Sequence, residues 1–191
     1  MKISITGHTA GLGLGLFNYY TAKGHEVIGF SRTNGYDLAE DNNIIRIVKE
    51  STDCDVFINN AFHEFAQVKL LYFLNLIWEK DTTKTHVVIG SIAGDGVDHF
   101  FKPYAIAKGA VDKTVSQLQV NAKYRLINIR PGNFKKDNPN TSTGFFAPKI
   151  GKNSNILQNP SRIEMEDLIQ FIDQMILQKS LKVQSVTVVP N

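Results

Sequence analysis

The chain is poor in the residues that mark several functional classes. It holds one cysteine, Cys54, so it can form no internal disulfide, which fits a reducing compartment. Its histidines, His8, His25, His63, His86 and His99, show no HxxxH or HxH spacing, and there is no CxxC. No metal site is therefore expected. The net charge is only +3 and no dense Lys/Arg block occurs, so charge gives no sign of a nucleic-acid partner. The most apolar run, "LLYFLNLIW" at 70–78, falls well short of the roughly 18 uncharged apolar residues of a membrane span. "MKISITG" enters a strand pattern with no apolar leader, and the expected location is the cytoplasm.

What is present reads as one ordinary globular domain over residues 1–191, with 42% hydrophobic and 20% charged residues. Strand-like runs alternate with helical ones. "ISIT" (3–6), "EVIGF" (26–30), "DVFIN" (55–59), "HVVIG" (86–90), "RLINI" (125–129) and "VQSVTVV" (183–189) read as strands, and "YDL" (36–38) as a very short one. Helices are expected from the Gly-rich turn to about 23, and over about 39–50, 64–80, 103–121 and 164–177. Residues 133–160 show neither period and read as a flexible loop. Apolar strands alternating with helices predict an α/β fold, a parallel sheet covered on both faces.

Three segments carry chemistry. The first strand opens into "TGHTAGLG", Thr6, Gly7, His8, Thr9, Ala10, Gly11, Leu12 and Gly13, a glycine-rich turn at a helix start that suits a dinucleotide pyrophosphate. Gly15, inside the helix, reads as a glycine that the turn merely needs rather than one that meets a phosphate. The second strand ends in Ser31 and Arg32 rather than an acid, a hydroxyl and a guanidinium fitted to the 2′-phosphate of NADP(H) more than to the ribose of NAD(H). The third segment, "FKPYAIAKGAV", sets Tyr104 one helical turn from Lys108 among small residues. A phenol can donate a proton to an alkoxide if its pKa nears the working pH. From ~10 that is a shift of roughly 3 units, about 4 kcal/mol, and a nearby ammonium favours it.

Together these motifs resemble the short-chain dehydrogenase/reductase family. Its TGxxxGxG is matched by Thr6, Gly7, Gly11 and Gly13, and its adenine-side Asp-hydrophobic pair is similar to Asp37-Leu38. Asn59, Asn60 and Ala61 match NNAG with Phe62 in the last place. Ser91 matches the catalytic serine, Tyr104 and Lys108 the YxxxK, and Pro131-Gly132 the PG after the next strand. The resemblance implies a Rossmann-type doubly wound parallel sheet of about seven strands, order 3-2-1-4-5-6-7. It implies Ser91, Tyr104 and Lys108 as catalytic residues, with Lys108 also on the nicotinamide ribose. It further implies a homodimer or homotetramer built through the helices at 64–80 and 103–121.

The chain departs from that pattern in places. It is shorter than usual, with an outer helix missing after the second strand and a trimmed segment after "NNAF". The helix asparagine that completes a catalytic tetrad falls near Phe65, where Glu64 and Gln67 are not Asn and Asn75 is a poor substitute. Lys136 stands where a Thr often meets the nicotinamide amide, with Thr141 or Thr143 as replacements. The expected function is NADP(H)-dependent interconversion of a small-molecule carbonyl and an alcohol, with Phe145 and Phe146 in a substrate lid. The alternative is a degenerate NADP(H)-binding sensor or interaction module. A sugar-nucleotide epimerase or dehydratase also carries YxxxK but needs a C-terminal domain that the residues after 132 cannot supply.

Overall fold

The computed structural model describes residues 1–95, 102–134 and 162–190. The proposed lid, with Lys136, Thr141, Thr143, Phe145 and Phe146, lies outside the described residues apart from its first two positions. Six strands, β1 (Lys2–Thr6), β2 (Glu26–Phe30), β3 (Val56–Asn59), β4 (Thr85–Ile89), β5 (Arg125–Pro131) and β6 (Ser185–Val188), form one sheet. The order is β2-β1-β3-β4-β5-β6 and every pairing is parallel. This is the expected doubly wound order with the short strand at 36–38 left out. A 3-10 turn over Arg32–Asn34 ends at Gly35, whose φ of +87° turns the chain away. The Tyr36 ring then packs edge-on against Phe30, 4.9 Å between centroids. Residues 36–38 become a bridge to the next helix, and β2 becomes a sheet edge.

Side chains alternate across the strands, so each face receives its own core. Ile3, Ile5, Ile58, Val87, Ile127 and Ile129 face α1 (Gly11–Ala22) and α5 (Met165–Leu177). Phe30, Phe57, Val88 and Leu126 face α2 (Asp41–Glu50), α3 (Ala66–Trp78) and α4 (Lys102–Leu118). On the first face α1 and α5 meet at Gly15, where a Cβ would come within 2.6 Å of Ile169 Cδ1. Nearby, buried Asp173 accepts hydrogen bonds from Lys23 Nζ at 2.7 Å and Tyr19 Oη at 2.9 Å, which ties the two helices together. The guanidinium of Arg125 donates to the carbonyls of Met175, Ile176 and Gln178 and so closes the C-terminus of α5. Cys54 is buried in the core.

Among the described residues no helix is long and apolar enough to cross a membrane, and no cluster of three or more metal-ligating side chains is found.

Candidate active site

The candidate residues gather where the strands end. Thr6, the last residue of β1, is fully buried, and its Oγ1 accepts from the backbone N–H groups of Asn60 and Ala61, both at 3.0 Å. Asn60 Nδ2 returns a bond to the Thr6 carbonyl at 2.9 Å. Thr6 and Asn60 therefore lock the ends of β1 and β3 together. Above this lock the chain turns at Gly7 (φ +75°) and Gly11 (φ +52°), a backbone region that side chains rarely adopt. A Cβ on Gly13 would strike the Gly7 carbonyl oxygen, so the start of α1 can lie on the turn only as glycine. No side chain caps α1 and no acid sits in its first turn, which leaves its first N–H groups and its positive dipole end for an anion. Thr9 is exposed and Leu12 is buried. His8 lies over Gly29, where a Cβ would run into its ring, and 5.1 Å from the Phe17 ring.

At the end of β2, Ser31 is largely spent on its own turn. Its N–H donates to Asn34 Oδ1 at 2.8 Å, and its Oγ lies 2.8 Å from Thr33 Oγ1 and 3.0 Å from Asn34 Oδ1. The Arg32 guanidinium is exposed and, among the described residues, has no hydrogen-bond or ion-pair partner. Asp37 Oδ1 accepts from the Ala39 N–H at 3.0 Å, and Leu38 packs onto the core beneath α2.

Ser91, Tyr104 and Lys108 come together at the end of β4 and the start of α4. The Ser91 Oγ accepts from the Ala93 N–H at 3.2 Å, which leaves its hydroxyl proton free, and the hydroxyl hydrogen-bonds the Tyr104 phenol. Burial pushes the phenol above its ordinary range, and the bond to Ser91 opposes that. The neighbouring ammonium was expected to pull the phenol down. Lys108 is itself only 2% exposed, and desolvation lowers its pKa to about 7. Its Nζ donates to Gln67 Oε1 and to the Ile89 carbonyl, each at 2.7 Å. Both acceptors are neutral, and the Asp112 carboxylate is what opposes the loss of its charge.

Phe62, where the family carries glycine, stands edge-on to Tyr104 with ring centroids 4.8 Å apart, and Lys108 Nζ lies 5.7 Å from the Phe62 centroid. The turn after Ser91 rests on α4 where both chains are thin: a Cβ on Gly94 would meet Gly109 N at 3.1 Å and Asp112 Oδ2 at 2.7 Å. Arg130 pairs with Asp95 of that turn and with Asp112, and Asn128 Nδ2 donates to Asp112 Oδ1 at 2.6 Å. Pro131 is buried, and Gly132 donates its N–H to the Val188 carbonyl at 2.8 Å. Asn59 is fully buried and braces α3: its Nδ2 donates to the Gln67 carbonyl at 3.0 Å and its own carbonyl accepts from Gln67 Nε2 at 2.8 Å.

Sequence reasoning passed over Gln67 because it is not asparagine. Its place in the first turn of α3, level with the end of β3, was the available signal. Asn75 takes no part; its Oδ1 accepts from Tyr124 Oη at 3.1 Å.

No protein-family model and no curated relative matches the chain. Solved structures do match. A short-chain dehydrogenase from Streptomyces avermitilis aligns with a TM-score of 0.73 at 17% identity, over 98% of this chain and 88% of that one. The 3-alpha-hydroxysteroid dehydrogenase from Pseudomonas sp. B-0831, solved with NADH, gives 0.73 at 19% identity over 98% and 95%. An alcohol dehydrogenase from the archaeon Thermococcus sibiricus, solved with 5-hydroxy-NADP, gives 0.73 at 16% identity over 100% and 97%. The likeness is one of architecture, and on it this chain has the fold of the short-chain dehydrogenases.

Proposed function

We propose that the chain is a divergent member of the short-chain dehydrogenase/reductase family and an NADP(H)-dependent oxidoreductase that interconverts a carbonyl and an alcohol. One observation carries this reading: the Ser91 hydroxyl at the end of β4 meets the phenol and the buried amine of α4 at the same strand ends as a turn that needs glycine. The residues fit a dinucleotide. Gly7, Gly11 and Gly13 would cradle the pyrophosphate at the uncapped start of α1, Arg32 would pair with the 2′-phosphate, and Lys108 would donate to ribose hydroxyls. Bound there, the nicotinamide would supply or accept the hydride.

The chain's own residues manage the oxygen and its proton. Tyr104, kept protonated by burial, donates its phenolic proton to the substrate oxygen in the reducing direction. Ser91 donates a hydrogen bond to the same oxygen as charge develops on it. Arg130, Asp95 and Asp112 hold the Ser91 turn against α4.

The test of the cofactor is a thermal melt alone, with NADPH and with NADH. Saturation at about 100 times Kd adds about 2.7 kcal/mol of stability, and NADPH is expected to give the larger shift. Arg32→Ala is expected to weaken NADPH by about tenfold or more, about 1.4 kcal/mol, and leave NADH unchanged. An equal loss for both would remove Arg32 as the phosphate reader.

Phe62 favours a second reading, a cofactor-binding module without turnover, because its ring occupies space beside the reacting phenol. That module would bind NADP(H) and show no activity on any carbonyl. Assembly as a homodimer or homotetramer is supported by surplus apolar surface. While Leu70, Leu71, Leu74 and Trp78 fill the core, Tyr72, Ile77 and Leu76 on α3 stay exposed, Leu76 by 79%. Leu76→Glu is expected to lower the mass measured by light scattering to that of one chain, and an unchanged mass would place the contact elsewhere.

A further inference from the structure

Lys108 must present an N–H at a fixed point if the proposed chemistry is right, and the following inference rests on that reading. An ammonium has three N–H donors, and two are taken by Gln67 Oε1 and the Ile89 carbonyl. With two anchored, tetrahedral geometry fixes the third. We propose that Gln67 is a positioning residue for Lys108: its amide oxygen aims the one remaining N–H of the ammonium at a ligand hydroxyl.

Three observations carry this. Gln67 is 1% exposed, so its rotamer is held by packing. Its Nε2 donates to the carbonyls of Asn59 at 2.8 Å and Ile89 at 3.2 Å, both of which can only accept, so the amide oxygen has to be the atom facing Lys108. Asn59 Nδ2 in turn donates to the Gln67 carbonyl, which fixes the first turn of α3 to the end of β3. The amide cannot flip without breaking two bonds and setting its NH2 against an ammonium.

The choice of an amide also sets the charge. Around Lys108, α4 contributes Tyr104 and Asp112, and Asp112 is engaged by Arg130 and Asn128. The end of β4 and its turn contribute Ser91 and Asp95, the latter paired with Arg130. Asn59 and Gln67 from β3 and α3 are neutral. A carboxylate at position 67 would compensate the ammonium and keep it charged to higher pH. A shorter asparagine would lose a methylene of reach. Glutamine holds the amine without neutralising it.

The experiment compares native protein with Gln67→Glu, Gln67→Asn and Gln67→Met in three readouts: the melt without ligand, NADPH affinity against pH, and the NMR titration of the Lys108 side-chain nitrogen in 15N-lysine-labelled protein. The Lys108 midpoint is expected to rise by a pH unit or more in Gln67→Glu and to fall in Gln67→Met. NADPH affinity at pH 7 is expected to drop tenfold or more in Gln67→Met and to be recovered, with its pH profile moved upward, in Gln67→Glu. Unchanged Lys108 midpoints, or NADPH affinities that simply follow the ligand-free melts, would overturn the proposal and leave Gln67 a structural brace. If native protein binds neither NADPH nor NADH, the oxidoreductase reading fails, and the Lys108 titration alone decides whether Gln67 governs the amine. Should Gln67→Met fail to fold, the Glu and Asn variants carry the comparison.

Discussion

Tyr104→Phe is expected to cut carbonyl reduction by about 10²- to 10⁴-fold while the NADPH-induced rise in melting temperature largely remains. The substitution removes one oxygen and keeps the ring that meets Phe62 at 4.8 Å, so the packing beside Lys108 is unchanged. On the proposed mechanism the phenol also sets a pH asymmetry: burial raises its pKa, so at neutral pH Tyr104 would carry the proton that reduction consumes. Alcohol oxidation needs the deprotonated form, and its rate is expected to climb as pH rises toward the phenol's pKa, while reduction is flat or falling over the same range. Rates against pH in both directions, on one substrate pair, would test this. A Phe variant that keeps native turnover would remove Tyr104 as the proton donor and favour a different oxygen ligand. Cofactor binding without turnover in either protein would favour the binding-module reading.

His86 is expected to make the protein acid-sensitive in a way that one substitution relieves. It is the second residue of β4, fully buried, with its ring 5.1 Å from Phe57 and 6.5 Å from Tyr124 by centroid, and neither ring nitrogen has a hydrogen-bond partner among the described residues. Burial lowers its pKa from 6.5 to about 3. The unfolded chain takes up the proton near 6.5 and the folded one near 3. The stabilising effect of a neutral buried ring is therefore complete above pH 6.5 and is lost as pH falls toward 3, by about 1.4 kcal/mol per unit. His86→Phe has no such proton to gain. Urea unfolding of both proteins at pH 7, 6, 5 and 4 should show the variant losing less stability at each step below 6.5. Parallel curves would mean that the folded protein admits the proton after all.

Much of this fold can be read from residue patterns because parallel strands buried on both faces appear as bare apolar runs, each ended by a turn residue. "EVIGF" begins and ends where β2 does. The misjudged segment is "YDL", where local composition suits a strand but Gly35 and the packing of Tyr36 on Phe30 send the chain out of the sheet. That outcome depends on contacts that sequence spacing does not encode. The same limit applies at the site. Ser91, Tyr104 and Lys108 stand out because their chemistry is rare in apolar surroundings. Thr6 and Asn60 hold each other in a way that spacing does not show, since two strand ends forced side by side leave backbone N–H groups that need acceptors. Gln67 was visible only as the wrong amide, since its bond to Lys108 depends on where that stem points from another helix.

The floor of the glycine turn is made by Thr6 and Asn60, partners 54 positions apart along the chain. Every described strand pairing is parallel, so no part of the sheet can zip up as a hairpin. In kinetic terms the molecule is a high-contact-order folder: loop closure between β1 and β3 must come before the cradle exists at all. On the proposed function, a nucleotide would therefore trap the finished sheet but not template it. In refolding, added cofactor should slow unfolding far more than it speeds the formation of structure.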